Sequence, residues 1–423
     1  MKSIIYIHIS IITFSILIVI FWTINTSLIF NKILGLNYDG VFTYYHMNFK
    51  REILKDPNYP WDLPIKYFVQ KKYMEENVEK AIYELQNNTC ITFLKQNAFF
   101  NNSQGLIFKE GPLCFSYYGA QFKKNSQEIQ LSSKCYISPY IILHEIGHAL
   151  GLVHEHARMA RDEYINIDDS QLDSHGMENF RIRNNTTYYK NYSTAYDYAS
   201  IMHYGPYDFG SFWKWLFGYP VMESKLHEKY TWMMGQQEKA TFNDYKKINL
   251  AHCNRCGWVN NTTGEIYNNS TQCQNDGYLD FRNCSKCICP TGYTGDNCTE
   301  IIKSDLECGE TTFTANETIR PILLNTTMKC YIEIKPNETF TNVNFSVLYV
   351  NAPPFKNGIC VESSAFQIKY RKDRGATGLL LCGHDPRPLT VISESKTILF
   401  FYEGIDDHSF VQFTFNAFNK TKN

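Results

Sequence analysis

The stretch His144-Glu145-Ile146-Gly147-His148-Ala149-Leu150-Gly151-Leu152-Val153-His154-Glu155 decides how the chain is read. On a helix, His144 and His148 stand one turn apart, so both rings leave the same face at a separation one tetrahedral ion can bridge. Glu145 follows the first of them and can lean over water at the ion without becoming a ligand. Gly151 lets the chain leave the helix in a conformation closed to residues with a Cβ, and the bend returns His154 as a third imidazole. A fourth position stays open for water, the geometry of a catalytic rather than a structural zinc site.

A bare H-E-x-x-H also arises in helices whose His and Glu are simply solvated. The added Gly151 and His154 make the pattern specific, and it resembles the metzincin metalloproteases. That group also needs a methionine beneath the metal. Here Ser200-Ile201-Met202-His203-Tyr204-Gly205 follows downstream, where a lone Met or Tyr would otherwise be ordinary packing. The Ser-x-Met-His-Tyr form, with Glu155 directly after His154, resembles the astacin family. Further segments resemble it too: Thr89–Phe93, Arg161–Tyr164, Gly176–Phe180, Tyr196–Tyr198, Gly235-Gln236 and Lys247–Asn249. Met159-Ala160 departs from the Pro-Asp pair commoner there. Phe212–Phe217 is also unusual, and reads equally as buried packing or as an apolar rim on a substrate cleft.

The resemblance implies an α+β zincin-like catalytic domain split by a central cleft, with an N-terminal twisted sheet and a zinc helix. It implies a zinc-dependent endopeptidase with one Zn2+ held by His144, His148 and His154. Glu145 would be the general base and then acid, and Tyr204 a fifth ligand that swings to the oxyanion. Met202 would be an apolar floor, His203 structural, and Glu155 tied to a buried new N-terminus. The segment Gly111-Pro112-Leu113-Cys114-Phe115 is a candidate edge strand on which an extended peptide docks. A catalytically silent binding protein is the alternative; the loss of a ligand, Glu145 or Tyr204 would have favoured it, and all are present.

The remaining chain reads as modules. With 423 residues, two to three domains are expected. Fourteen cysteines and many Asn-x-Ser/Thr sequons, among them Asn87, Asn184, Asn261, Asn316 and Asn325, indicate an oxidising, glycosylating compartment. By resemblance, Cys90 pairs with Cys253 and Cys114 with Cys135 in the protease, residues 52–254. Residues 255–300 resemble an EGF-like module, implying Cys256–Cys284, Cys273–Cys287 and Cys289–Cys298; spacing alone permits fifteen pairings of six cysteines. Residues 301–423 alternate apolar and polar positions as an all-β sandwich does, and Cys308-Gly309, Leu381-Cys382-Gly383 and the Phe-rich last strand resemble a CUB domain. Glu403, Asp406 and Asp407 lie near the end where many such domains bind calcium, but the usual acid shortly after the third cysteine is not evident, which argues against calcium.

Residues 1–24 read as a secretory signal peptide or a signal anchor, the apolar run being longer than a signal core needs. Residues 25–51 read as a propeptide ending at the dibasic Lys50-Arg51, with Asp39 a candidate latency residue. Trp61–Tyr67 resembles the opening of mature astacins. A net charge of -1 without a basic stripe argues against nucleic acid. Expected partners are therefore extracellular protein or peptide substrates, such as matrix, cuticle or host-tissue proteins. A membrane enters only if the N-terminal segment is an uncleaved anchor.

Overall fold

The computed structural model describes Ile53 and residues 59–172, 176–182, 192, 194–211, 216–257 and 272–419. The signal or anchor segment, the propeptide with Asp39 and Lys50-Arg51, Glu52, residues 212–215 and the sequons at Asn184 and Asn261 lie outside them. Among the described residues, no helix is long and apolar enough to cross a membrane.

The first element pair explains how the metal helix is supported. Met74, Val78, Ala81, Ile82 and Leu85 fall on one face of α1 (Lys72–Asn88), and all are buried. That face covers a four-stranded sheet in the order β2 (Phe93–Lys95), β1 (Ile65–Val69), β3 (Gly105–Glu110), β4 (Ser126–Leu131), each pair parallel. Strands β2 and β4 end this order, and the Phe115 segment lies against the outer side of β4. The expected edge segment contributes less than a strand: Phe115 makes one antiparallel bridge, donating to and accepting from Gln130 at 2.9–3.0 Å. Ahead of it, the Gly111 N–H donates to the Leu131 carbonyl at 3.2 Å.

Helix α2 (Pro139–Ala149) carries His144 and His148. Ser138 caps it, accepting from the Ile141 N–H at 3.4 Å, and Pro139 sits at the first position, where no intrahelical N–H bond is lost. The helix closes at Leu150, and Gly151 follows at φ 98°. A side chain there would be strained, so the chain's turn back towards His154 rests on this glycine. The Trp61 indole N–H donates to the Ala149 carbonyl at 2.8 Å, and Ile53 bridges Leu152, tying the domain's start to the end of α2.

A second region, from Ile165 to Met234, buries Phe180, Tyr196, Tyr198, Tyr204, Phe209, Met222 and Tyr230 in an apolar cluster that continues into the C-terminal all-β region. Helix α3 (Phe242–His252) closes the domain, and Cys253 after it bonds Cys90 across 163 residues. Leu216 and Phe217, the described part of the unusual aromatic segment, are exposed, which argues against buried packing for these two residues.

All seven disulfides pair within their own segment of the chain, and the five expected connectivities are those observed. Cys308 bonds Cys330 and Cys360 bonds Cys382. The C-terminal region is all-β. One sheet runs Thr312–Ala315, Lys329–Pro336, Ile398–Glu403, Phe366–Lys369, Leu379–Leu381. The other runs Arg320–Asn325, Phe410–Phe418, Asn342–Asn351, His384–Asp385, with Leu389–Ile392 also on Asn342–Asn351. Buried and half-buried positions alternate along Phe410–Phe418, and Phe345, Phe400 and Phe413 pack between the sheets with centroids 4.7–5.5 Å apart. Glu403 is paired with Lys329, and the Asp406 carboxylate accepts from the His408 and Ser409 N–H groups, so both acids serve structure.

Closing a loop of 163 residues restricts the unfolded chain by about 5 kcal/mol in the entropic model. Cys90→Ser with Cys253→Ser is therefore expected to lower unfolding free energy by several kcal/mol in urea titrations. The short Cys289–Cys298 link, spanning 9 residues, should cost less when removed.

Candidate metal centre

Two backbone carbonyls orient the histidines. His144 Nδ1 bonds the Ile201 carbonyl and His148 Nδ1 the Leu152 carbonyl, each at 2.8 Å. With Nδ1 protonated and donating, Nε2 of each ring keeps its lone pair and faces inward. His154 Nε2 lies 3.2 Å from His148 Nε2 and 3.3 Å from His144 Nε2. Zn–N bonds of about 2.0–2.1 Å at tetrahedral angles set nitrogens about 3.3–3.4 Å apart, so the imidazoles fit one such ion. Among the described residues this is the one cluster of three or more His, Cys, Asp or Glu able to hold a metal. Burial lowers the pKa of His144 and His148, which keeps both rings neutral and able to ligate.

Glu145 sits beside them, fully buried, and neither carboxylate oxygen has a hydrogen-bond partner. Burial alone pushes its pKa up to about 8. A buried, unsolvated carboxylate next to three convergent imidazoles is costly unless a cation and water complete the site. That orphan is a second, independent sign that a metal belongs there.

Below the helix, Met202 is buried, and its Sδ would lie 3.3 Å from a Cβ placed on Gly147. The helix comes this near the methionine because position 147 has no side chain. Tyr204 is also buried, its ring 4.3 Å from His154 and 4.1 Å from His156 between centroids. His203 bonds the Tyr204 carbonyl through Nδ1 and the Tyr196 hydroxyl through Nε2, and burial drops its pKa to about 4. With both ring nitrogens engaged, it reads as structural.

Sequence reasoning brought His144, His148, His154, Glu145, Met202 and Tyr204 to one place. It missed the residues that hold them there. The Asp244 carboxylate closes the capping box of α3 with Thr241, and also accepts from the Ser200 hydroxyl at 2.5 Å and the Ile201 N–H at 2.9 Å. Through Ile201 it fixes the carbonyl that orients His144. Thr241-Phe242-Asn243-Asp244 reads as a capping box, but nothing local says that its acid also holds a turn 43 residues earlier.

Glu155 is held, among the described residues, by groups the resemblance did not name. Its Oε1 accepts from Arg158 at 2.5 Å and from the Asp197 N–H at 3.0 Å, and its Oε2 accepts from Lys247 at 2.6 Å. Two internal cations thus satisfy both oxygens, while the position of Glu52 is outside the described residues. Burial would raise the Glu155 pKa, but the charges of Arg158 and Lys247 outweigh it and bring it down to about 2. Asp197 in turn accepts from the Thr377 hydroxyl at 3.2 Å, Ala195 N–H donates to Asp373 at 3.1 Å, and Arg371 donates to the Tyr196 carbonyl at 2.8 Å. The C-terminal sandwich therefore clasps the loop that carries the Glu155 contact.

Residues 53–253 match the family model of the astacin peptidases. The chain is 26% identical over 371 residues to zinc metalloproteinase nas-34 of Caenorhabditis elegans, covering 86% of this chain and 57% of that protein. It is 28% identical over 293 residues to zinc metalloproteinase nas-27 of the same organism, covering 66% and 64%. A solved structure, the medaka (Oryzias latipes) hatching enzyme zinc-protease high choriolytic enzyme 1, aligns at 25% identity and TM-score 0.38, covering 44% of this chain and 86% of that one. The chain spans 57–65% of the length of the first three relatives.

Asp244→Ala should release Ile201 and with it the His144 ring. Competition with a chromophoric chelator is expected to show zinc affinity reduced about 10–100-fold, the usual effect of losing a group that orients a ligand. Glu155 generates a pH prediction. Its folded pKa of about 2 lies below the ordinary 4.5, so its stabilisation is complete above pH 4.5 and fades as pH falls towards 2. In metal-free protein, the stability gap between wild type and Glu155→Gln should be widest near pH 6 and shrink by pH 3.

Proposed function

Because residues 53–253 form a domain of the astacin peptidase family, we propose that the chain is a zinc-dependent endopeptidase acting on extracellular proteins. The observation that carries this reading is the buried, unpartnered Glu145 carboxylate beside three convergent imidazole nitrogens. His144, His148 and His154 would hold one Zn2+, which when bound supplies Lewis acidity that acidifies water and polarises a carbonyl.

The chain's own groups would do the rest. Glu145 takes a proton from the attacking water and passes it to the leaving amine nitrogen, a task suited to a carboxylate whose burial raises its proton affinity. Tyr204, buried against His154, donates a hydrogen bond from its hydroxyl to the oxyanion as the carbonyl becomes tetrahedral. Met202 and Gly147 pack to a fixed floor, so the imidazoles do not drift as the reaction proceeds. The depression lined by Tyr140, His144, Tyr204 and Gly235 lies beside these groups and gives an extended peptide a place to enter. Peptide backbone could pair along β4 or the Phe115 bridge, which reads no sequence and suits broad specificity.

The same reading assigns residues 1–24 to export or anchoring, 25–51 to a propeptide, 52–254 to the protease, 255–300 to an EGF-like module and 301–423 to a CUB domain. The seven disulfides and the exposed sequon asparagines Asn87, Asn316 and Asn325 support an oxidising, extracellular setting.

The test is cleavage of casein or denatured collagen by chain beginning near Glu52. Glu145→Gln is expected to lower kcat/KM by about 10²–10⁴-fold while zinc remains bound, and Tyr204→Phe by about 10²–10³-fold. A chelator should abolish cleavage and added zinc restore it. A folded, zinc-loaded wild type that cuts nothing would overturn the enzymatic reading and leave a binding protein.

A further inference from the structure

The depression beside the imidazoles holds one carboxylate with no assigned task. Its lining includes Tyr140, Ile141, His144, Ile201, Tyr204 and Asp208. Asp208 uses Oδ2 to accept from the Gly205 N–H at 2.7 Å. Its Oδ1 has no hydrogen-bond partner among the described residues, and no Lys or Arg there pairs with it. The neighbouring His203 is spent on Tyr196 and its own chain, and stays neutral. Burial has pushed the Asp208 acid up to about 6, with only the Gly205 N–H working against it. A carboxylate in this condition gains from any cation that reaches it.

The rest of the wall carries no second acid and no Lys or Arg: apolar side chains stand beside the polar His203, Gln236 and Gln237. Ile141 and Ile201 are buried, and Tyr140 presents a half-buried ring. A long aliphatic stem packs well against such a wall, and a cationic head at its end meets Asp208. An acidic side chain entering the same space meets a like charge. A short apolar one leaves the carboxylate desolvated and unpaired.

We propose that Asp208 is a specificity-determining residue, and that the depression beside His144 and Tyr204 accepts a lysine or arginine side chain of the peptide substrate. This rests on the endopeptidase reading and narrows it to substrates with a basic residue next to the bond cut.

Binding is the discriminating readout, because it does not need turnover. The full chain carrying Glu145→Gln, loaded with zinc, is titrated with short labelled peptides of one neutral background, each with a single Lys, Glu or norleucine. Fluorescence anisotropy should give a dissociation constant about tenfold or more lower for the Lys peptide, as a charged hydrogen bond in a partly buried site provides. Adding Asp208→Asn, which keeps an acceptor for the Gly205 N–H, should bring the Lys to norleucine ratio close to one. Equal affinities, a preference for Glu, or no binding by any of the peptides would overturn the proposal, even if the Asp208 variant failed to fold. Hydrolysis by wild type is scored separately. Lys-selective binding with no peptide cut would sink the endopeptidase reading while the pocket stood.

Discussion

The site depends on two backbone carbonyls. Ile201 and Leu152 hold the outer nitrogens of His144 and His148, and this alone turns both inner nitrogens towards His154. Neither carbonyl is held by chance. Leu152 follows the one residue that can take φ 98°, and Ile201 is gripped through its N–H by Asp244. The ligands come from one short stretch of sequence, yet their orientation is set by a turn about 50 residues on and a helix about 100 residues on.

Burial works in two directions around this centre. At Glu145 it leaves a carboxylate without partners, a state the protein would not keep without a use for it. At Glu155 the same burial is more than offset by Arg158 and Lys247, so the neighbouring acid is a fully paired strut. Two acids ten residues apart in sequence thus take opposite characters, one with its pKa raised by burial and one held charged by its partners. The strut continues through Asp197 to Thr377, so the C-terminal sandwich and the segment after His154 share one buried polar network.

Much of this was legible in the sequence, for reasons that differ by element. The metal helix and its three imidazoles were readable because the spacing His-x-x-x-His-x-x-Gly-x-x-His couples helical period to one bend. Five of the seven pairings followed from the family resemblance, since spacing alone leaves many connectivities open. The alternation in residues 410–418 gave the sandwich its strands. The edge segment was legible only in part: Phe115 does lie against β4, but by a single antiparallel bridge rather than a full strand. Lys247, Asp244 and the clasp of Arg371 and Asp373 were not readable, because buried ion pairs and caps between distant elements leave no local period. Asp208 carried no signal at all, since a single acid after Pro206-Tyr207 reads as a turn residue until its neighbours are seen.

Zinc K-edge X-ray absorption on the purified, zinc-loaded chain tests the central claim most directly. One zinc per chain is expected, with three imidazole nitrogens at about 2.0–2.1 Å and only oxygen or nitrogen completing the shell. A sulfur neighbour, or fewer than three imidazoles, would contradict it.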